Sequence, residues 1–234
     1  MKKILRAVLL IVLTGIMLFS GYQVAVILRE SAEEKSAHEE LVQQYKPQPQ
    51  APDPLAVLRA EYPAVLGWLT VPGTKIDHPF VQAQDNDHYL RRNLDGEHAN
   101  GGTVFMECRN SPDFSDFNTV LYGHNMRNDT MFGTLELFEK QDFFNQNRSA
   151  EIILPDRKLA LEIFACAVVD ADDESVYGIG QAEEAEITEY LTYLKSKAKF
   201  WRDPQLAADD HIVTLSTCSY AFDNARTVVV CKIK

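Results

Sequence analysis

The last residues of the chain, HIVTLSTCSYAFDNARTVVVCKIK at positions 211–234, decide its fold. Positions 211–218 alternate apolar and polar side chains, and positions 226–233 form a second run rich in β-branched residues. The SYAFDNA segment between them, at positions 219–225, is typical of a hairpin loop. We therefore predict that the chain ends in two antiparallel strands joined by a short loop.

One register of this hairpin would place its two cysteines in different environments. If Cys218 lies opposite Arg226, the two side chains project from one face with their Cβ atoms about 5 Å apart. The same register pairs Ser216 with Val228 and Thr214 with Val230 on the face of Cys218. The residues between them project from the opposite face, namely Val213, Leu215, Val229, Cys231 and Ile233. Because that face is apolar, we expect it to be the core and its thiol to be inert.

Cys218 would instead lie at a strand end beside a permanent cation, which favours a reactive thiolate. Arginine keeps its proton, so Arg226 cannot act as a base, but its guanidinium can hold a carbonyl oxygen or a developing oxyanion. The residues alone leave a second interpretation open, in which Cys218 is a small buried hydrophobic residue.

A nucleophilic cysteine also needs a proton acceptor and donor, most often a histidine. Among the six histidines, His124 has the most distinctive setting, within NTVLYGHNM at positions 118–126. A predicted strand ends at Tyr122, Gly123 breaks it, and His124 follows where the chain leaves the sheet, which is where sites are usually built. On the residues alone, His124 could also be a polar residue without a catalytic role. The sequence has no C-x-x-C or H-x-x-x-H spacing, so we expect no zinc site.

Short β-type runs continue upstream of the hairpin. Besides the two C-terminal strands, we predict strands at positions 67–71, 76–81, 102–107, 119–122, 150–154 and 158–169. Helices are predicted at 55–62, 130–138 and 183–201, the last with an apolar stripe that we expect to pack on the sheet. Many short strands with Gly, Asn, Asp and Pro turns favour a mostly β, closed structure.

The N-terminus carries an apolar segment at positions 7–28, preceded by Lys2, Lys3 and Arg6. As a helix, its 22 residues can cross a hydrocarbon core of about 30 Å. The positive-inside rule then predicts a cytoplasmic segment at 1–6, a transmembrane signal anchor at 7–28, and the rest of the chain outside the cell. A cleaved signal peptide is the competing interpretation, but its apolar core is usually shorter and ends at a small-x-small site, and no such pattern stands out.

Two polar segments follow the apolar one. Positions 29–45 are rich in Glu and predict a juxtamembrane helix, and the proline-rich KPQPQAPDP at 46–54 predicts an extended spacer. The folded domain is therefore expected at 55–234. The formal net charge of −11, without basic clusters, argues against nucleic acid as a partner. The four cysteines could be free thiols or disulfides, because their number alone does not decide.

Three motifs together resemble those of the sortase family. TLSTC at positions 214–218 matches the family's TLxTC signature, NTVLYGHNM resembles its histidine motif, and Arg226 matches the arginine that follows the cysteine. The form of the histidine motif, the Asn86-x-x-Tyr89-Leu90 segment, GTVFMECRN at 102–110 and the predicted long helix are similar to class B members. The resemblance covers roughly positions 55–234.

This resemblance implies an eight-stranded sortase-type β-barrel with peripheral helices, preceded by the transmembrane helix. It implies a cysteine transpeptidase that cleaves a C-terminal sorting signal of secreted proteins after threonine. Cys218 would form a thioacyl-enzyme, His124 would transfer protons, and Arg226 would hold the carbonyl oxygen. The acceptor would be an amino group of peptidoglycan or its precursor. The protein would be anchored in the cell membrane by a single helix, with its catalytic domain outside the cell. No cofactor or metal is implied.

The resemblance also indicates residues that would bind the sorting signal. Asn86, Leu90 and Ser216 match positions that line the class B groove. Tyr177 lies in the loop before the predicted long helix, where a wall of the groove is expected.

One position departs from the family pattern. Some class B members carry an acid two residues after the cysteine, where this chain has Tyr220. Asp223, in the hairpin loop, could orient Arg226 instead, or could serve only to form the turn.

The sequence leaves alternatives to transpeptidation. A secreted, membrane-anchored cysteine peptidase would use the same residues but release its acyl group to water. A cell-wall L,D-transpeptidase is disfavoured because STCS at 216–219 lacks the histidine of the S-H-G-C type of motif. A non-enzymatic surface β-domain, an adhesin or receptor, would use Cys218 and Cys231 only as structural residues.

Overall fold

The apolar N-terminal segment and the Glu-rich segment after it form one continuous helix, α1, Lys2–Tyr45. The structure, a computed structural model, describes residues 2–47, 53–178, 183–207 and 209–234. By its contacts the chain divides into two units, Met1–Glu40 and Leu41–Lys234. The helix is long and apolar enough to cross a membrane, by length and composition.

The domain organisation predicted from the sequence stays a prediction, with its anchor at 7–28 and its catalytic domain at 55–234. Of the predicted spacer at 46–54, residues 48–52 lie outside the described residues. The last turn of α1 belongs to the second unit, where it joins a buried cluster with helix α2, Ala56–Glu61. Buried members of this cluster include Tyr45, Leu55, Leu58 and Trp68.

Nine strands within the described residues form a single sheet. They are β1 Val65–Thr70, β2 Asp77–Val81, β3 Val104–Met106, β4 Asn118–Tyr122, β5 Ser149–Ile153, β6 Lys158–Asp170, β7 Ala198–Trp201, β8 Ile212–Cys218 and β9 Ala225–Ile233. Their order is β5-β1-β2-β3-β4-β8-β9-β6-β7, and β5 also pairs with β6. The β5–β6 pairing closes eight strands into a barrel and leaves β7 as an extra edge strand. The predicted eight-stranded barrel with peripheral helices is therefore confirmed.

The helix predicted at 183–201 ends earlier than its apolar stripe suggests. Helix α4 runs Glu184–Lys197, and the next residues form β7, in which Phe200 pairs with Cys166 of β6. The helix ends at Lys197 because the residues after it form backbone hydrogen bonds with the edge of the sheet, so Trp201 is a strand residue. The helical part of the stripe packs on the barrel as expected, through Ile187, Tyr190, Leu191 and Leu194.

The helix predicted at 130–138 is wrong over its first half. Asp129 and Met131 have φ values of 65° and 50°, in the left-handed region, so the chain turns there instead of coiling. Helical structure begins only in a 3₁₀ helix, Leu135–Glu139. Helix α3, Gln141–Gln146, which the sequence did not predict, follows it.

Both faces of the C-terminal hairpin are covered over most of their length. The inner face lies in the barrel core as predicted, through Val213, Leu215, Val229 and Cys231, with Ile233 partly buried against it. On the outer face, Val228 and Val230 are buried in the cluster that α4 joins. Each such apolar side chain contributes about 1.5–3 kcal/mol on burial. Cys218 and Arg226, at the loop end of the outer face, are only partly buried.

Candidate active site

The C-terminal hairpin has the predicted register. Cys218 of β8 pairs with Arg226 of β9, and the pairs Ser216–Val228 and Thr214–Val230 follow in step. The backbone N–H of Ser219 donates to the Ala225 carbonyl at 2.8 Å and closes the hairpin at its loop end. The thiol and the guanidinium therefore leave neighbouring strands on the same face.

His124 reaches this place from a distant part of the chain. Strand β4 is the parallel neighbour of β8, and its last residue, Tyr122, pairs with Ser216. His124 and Cys218 each lie two residues beyond that pair, so the parallel strands deliver both to one end of the barrel. The structure thus brings together the three residues for which the sequence predicts catalytic roles.

The ring of His124 is held by the main chain of Leu90. The His124 Nε2 atom lies 2.7 Å from the Leu90 carbonyl oxygen. A carbonyl oxygen only accepts hydrogen bonds, so Nε2 carries a proton in this arrangement. Leu90 itself has a partly exposed side chain, with 37% of its surface accessible.

The loop that presents His124 folds back tightly on itself. The Phe132 N–H donates to the His124 carbonyl at 2.9 Å, and Asn125 forms a bridge with Met131. A Cβ atom at Gly123 would come within 2.7 Å of the buried Phe132 ring. Glycine is therefore required at the point where the chain leaves β4.

Two side chains tie this loop to the end of β8. The Thr217 hydroxyl donates to the Gly123 carbonyl at 2.7 Å. The Asn125 amide donates both to the Cys218 carbonyl at 2.9 Å and to Glu136 Oε1 at 2.7 Å. Neither Asn125 nor Glu136 was singled out from the sequence, although Asn125 lies within the histidine motif.

Tyr177 and Ser216 form a pair beside the site. Their hydroxyl oxygens are 2.9 Å apart, and Ser216 is only 2% exposed. Burial raises the pKa of Tyr177, against the opposing effects of the Ser216 hydrogen bond and the Arg226 charge. The Tyr177 ring also lies 6.2 Å from the ring of Tyr122, centroid to centroid.

Asn86 is joined to the same region through a buried carboxylate. Its amide donates to Glu107 at 2.8 Å, and its Oδ1 atom accepts from the Cys108 N–H at 2.9 Å. The Tyr122 hydroxyl donates to the same Glu107 oxygen, Oε2, at 3.2 Å. Burial acts to raise the pKa of Glu107, but hydrogen bonds from Arg109 and Asn86 outweigh it and lower the pKa to about 2. Sequence reasoning missed Glu107 and Tyr122, although both lie in segments that resemble the family.

The hairpin loop presents no acid to the guanidinium. Tyr220 points into solvent with 71% of its surface exposed, and Asp223 is exposed as well. Among the described residues, no carboxylate forms an ion pair with Arg226, whose Nη1 atom donates to the Ala225 carbonyl at 3.0 Å. The guanidinium thus retains donors for a further acceptor.

All four cysteines are free thiols. Cys166 and Cys231 are fully buried, whereas Cys108 and Cys218 are partly exposed. The described residues contain no group of three or more His, Cys, Asp or Glu side chains arranged to hold a metal ion.

The sequence and the fold of this chain are similar to those of known proteins of one family. A model of the sortase domain matches residues 69–234. Sortase B of Listeria monocytogenes is 29% identical over 243 aligned residues, which cover 99% of this chain and 98% of the relative. The crystal structure of Clostridium perfringens sortase B is 39% identical, with a TM-score of 0.72, over 76% of this chain and 98% of that one. The crystal structure of Staphylococcus aureus sortase B is 29% identical, with a TM-score of 0.78, over 86% and 98% respectively.

The matched region contains every strand of the barrel except the first residues of β1, and it includes His124, Cys218 and Arg226. The relatives named here all belong to class B. The chain therefore belongs to class B of the sortase family of cysteine transpeptidases.

Proposed function

We propose that Cys218, His124 and Arg226 are the catalytic residues with which this sortase transfers secreted proteins to the cell wall. The observation that carries the proposal is the meeting of three strands at one end of the barrel. Strand β8 brings Cys218 opposite Arg226 of β9 and places it beside the end of β4. Acyl transfer through a thioester needs a nucleophile, a proton-transfer group and a donor for the oxyanion, and a thiol, an imidazole and a guanidinium can fill these roles.

In the first half-reaction, the Cys218 sulfur attacks the carbonyl carbon of a threonine in the C-terminal sorting signal. The C–S bond forms, the C–N bond to the next residue breaks, and the His124 imidazolium gives a proton to the departing amine. Arg226 donates hydrogen bonds to the carbonyl oxygen, on which negative charge develops. The products are a thioacyl-enzyme and a free C-terminal fragment.

In the second half-reaction, an amino group of peptidoglycan or its precursor attacks the thioester carbon. His124, now neutral, takes the proton from this amine, and the C–S bond breaks to release the Cys218 thiolate. The new amide bond joins the secreted protein to the cell wall. The proton that His124 gave up in the first half-reaction is thereby returned, and the enzyme is ready for another cycle.

We assign the groove for the sorting signal to the surface around Leu90, Tyr177, Ser216 and Asn86. Leu90 supports this role because it has an exposed apolar side chain beside the histidine. Tyr177 is joined to Ser216, which lies on the same face of β8 as the nucleophile. Asn86 acts by fixing Glu107, because both ends of its amide are bonded to the protein.

We further propose that residues 7–28 anchor the protein in the cell membrane as a single-pass helix. Residues 1–6 then lie in the cytoplasm, and residues 29–54 link the anchor to an extracellular catalytic domain at 55–234. The length and composition of α1 support the anchor, and Lys3 and Arg6 before it support its orientation.

The proposal is tested by replacing the nucleophile. We expect Cys218→Ala to lose nearly all activity toward peptides that carry the C-terminal tails of secreted proteins from the same genome. Cys108→Ala is the matched control, since Cys108 is also a partly exposed free thiol but lies outside the proposed catalytic residues. A Cys218→Ala protein with wild-type turnover would mean that the thiol is structural, as in a non-enzymatic surface domain.

The acceptor is tested by product analysis. We expect the wild-type protein to form an amide with an amine-bearing peptidoglycan stem peptide, detected by mass spectrometry of the product. If only the hydrolysed acid forms, with the amine present in excess, the chain is a cysteine peptidase that uses the same residues.

A further inference from the structure

The parallel pairing of β4 with β8 stops one step before the nucleophile. Its last main-chain bond runs from the Gly123 N–H to the Ser216 carbonyl, at 3.2 Å. Carbonyl groups two residues apart in a strand point to the same side, so the next carbonyl of β8 that faces β4 is that of Cys218. A continued ladder would supply a main-chain N–H from the residue after His124.

That residue is Asn125, and it supplies its side chain instead. The Asn125 Nδ2 atom donates to the Cys218 carbonyl at 2.9 Å. The side-chain amide therefore occupies the place of the missing ladder bond. Because the donor is on the residue next to His124, this bond links the main chain of the histidine to the main chain of the cysteine.

Glu136 determines which way the Asn125 amide faces. Its Oε1 atom accepts from the same Nδ2 atom at 2.7 Å. Both the carboxylate and the Cys218 carbonyl only accept hydrogen bonds, so a flipped amide would turn its oxygen against two acceptors. Glu136 is itself held in the 3₁₀ helix Leu135–Glu139, in which Leu135 and Phe138 are fully buried.

We propose that Asn125 is a positioning residue for Cys218, and that Glu136 acts through Asn125 by fixing its amide. The inference rests on the proposed function, because it concerns how the sulfur is held relative to His124. Displacement of a reacting group by about 1 Å can lower a rate by a hundredfold. The two hydrogen bonds of Asn125 hold the end of β8, which carries the Cys218 sulfur, in place during both acyl transfers. Their loss therefore lowers kcat and leaves KM, which reports on the groove, nearly unchanged.

Three variants separate positioning from simple stabilisation of the loop. Asn125→Asp removes both donated bonds and sets a carboxylate against Glu136. Asn125→Asp with Glu136→Gln restores a hydrogen bond between positions 125 and 136, with its direction reversed, but leaves the Cys218 carbonyl without its donor. Glu136→Gln alone keeps an acceptor oxygen for Asn125 and is the conservative control.

The readouts are kcat and KM for the tail peptides, the melting temperature, and the rate at which iodoacetamide alkylates Cys218. Alkylation is followed across a pH series in a Cys108→Ala background, so that Cys218 is the partly exposed thiol that remains. We expect the double variant to recover the melting temperature lost in Asn125→Asp. Its kcat stays about tenfold to a hundredfold below wild type, and its alkylation profile stays altered. Glu136→Gln alone should keep most of the wild-type kcat.

The proposal is overturned if the double variant regains wild-type kcat and alkylation, since the Cys218 contact would then be dispensable. It is also overturned if the double variant does not fold, because the contact would then serve the fold and not the chemistry. If Asn125→Asp alone does not fold, the double variant carries the test. Failure of the proposed function gives a different pattern, since Cys218→Ala would then remain active.

Discussion

Cys218 and Cys231 share a hairpin but lie on its opposite faces. Cys231 is fully buried among apolar side chains, and burial raises the pKa of its thiol. Burial likewise raises the pKa of Cys166 to about 12. A buried neutral thiol is a poor nucleophile, because the thiolate is the reactive form. Cys218, partly exposed and opposite Arg226, is the thiol that we expect to react.

The guanidinium of Arg226 is expected to matter for its shape as well as its charge. Arg226→Lys keeps the positive charge but replaces a planar fork by a single ammonium group, which cannot offer the same pair of donors to a carbonyl oxygen. We expect kcat to fall by about a hundredfold to a thousandfold, as for removal of an oxyanion donor. Steady-state kinetics with the tail peptides measures this change.

Arg59→Lys is the control for this substitution, because Arg59 is exposed on α2. It should leave kcat and KM unchanged. Wild-type turnover in Arg226→Lys would show that charge alone is sufficient at this position.

Among the structural elements, the end of α1 contributes to the folded unit more than the sequence suggests. Tyr45 lies in the buried cluster with Trp68, and Lys46 pairs with Asp77. Asp77 in turn accepts a hydrogen bond from Trp68 Nε1 at 2.7 Å. The polar, Glu-rich composition of positions 29–45 predicts a solvated helix and gives no sign that its last turn packs on the barrel.

A pair of truncated proteins tests this contribution. We expect the fragment 55–234 to melt at a lower temperature than the fragment 41–234, because it lacks Tyr45 and the Lys46–Asp77 ion pair. Burial of one large side chain contributes about 2 kcal/mol, which corresponds to about 4–8 °C in a domain of this size. Calorimetry of the two fragments measures the difference. Equal melting temperatures would favour position 55 as the start of the stable domain.

At the scale of the whole molecule, Glu107 holds several separate segments together. It accepts hydrogen bonds from Asn86, Arg109 and Tyr122, of which Tyr122 belongs to β4. The carboxylate is almost completely buried, so its charge must be compensated by these donors. Its contribution to stability is therefore expected to depend on pH.

The folded-state pKa of Glu107, about 2, lies below the ordinary value near 4.5. A group with a lowered folded-state pKa stabilises the protein fully above the unfolded value and loses that effect as pH falls toward the folded one. We expect Glu107→Gln to be less stable than wild type at pH 6, by up to about 3 kcal/mol. The difference should shrink between pH 5 and pH 2, as followed by urea unfolding.

Glu97→Gln is the control for this series, because the Glu97 side chain is exposed. It should change the free energy of unfolding little at any pH. If Glu107→Gln lowers the free energy of unfolding by the same amount from pH 6 to pH 2, the stabilisation does not come from the ionised Glu107 carboxylate.

Local sequence patterns predicted the short strands of a closed β structure and the C-terminal hairpin, whereas the count of eight barrel strands came from the family resemblance. Alternation placed Cys218 opposite Arg226 and turned Cys231 inward, and both placements are confirmed. It could not predict contacts that depend on the closed fold. The turn at Asp129 arises from left-handed residues, and β7 arises from pairing with β6. The same is true of the contact of Asn125 with Cys218, 93 positions away, and of its contact with Glu136, which depends on how the intervening loop folds back.

The parallel pairing of β4 with β8 has a consequence for the order of folding. The Thr214 hydroxyl of β8 donates to the Asn118 side chain of β4 across 96 positions of sequence. Contacts of such high sequence separation carry a large loop-closure cost and form slowly. The imidazole and the thiol therefore meet only once the barrel closes. A chain that is still incompletely folded would therefore carry the Cys218 thiol without His124 beside it.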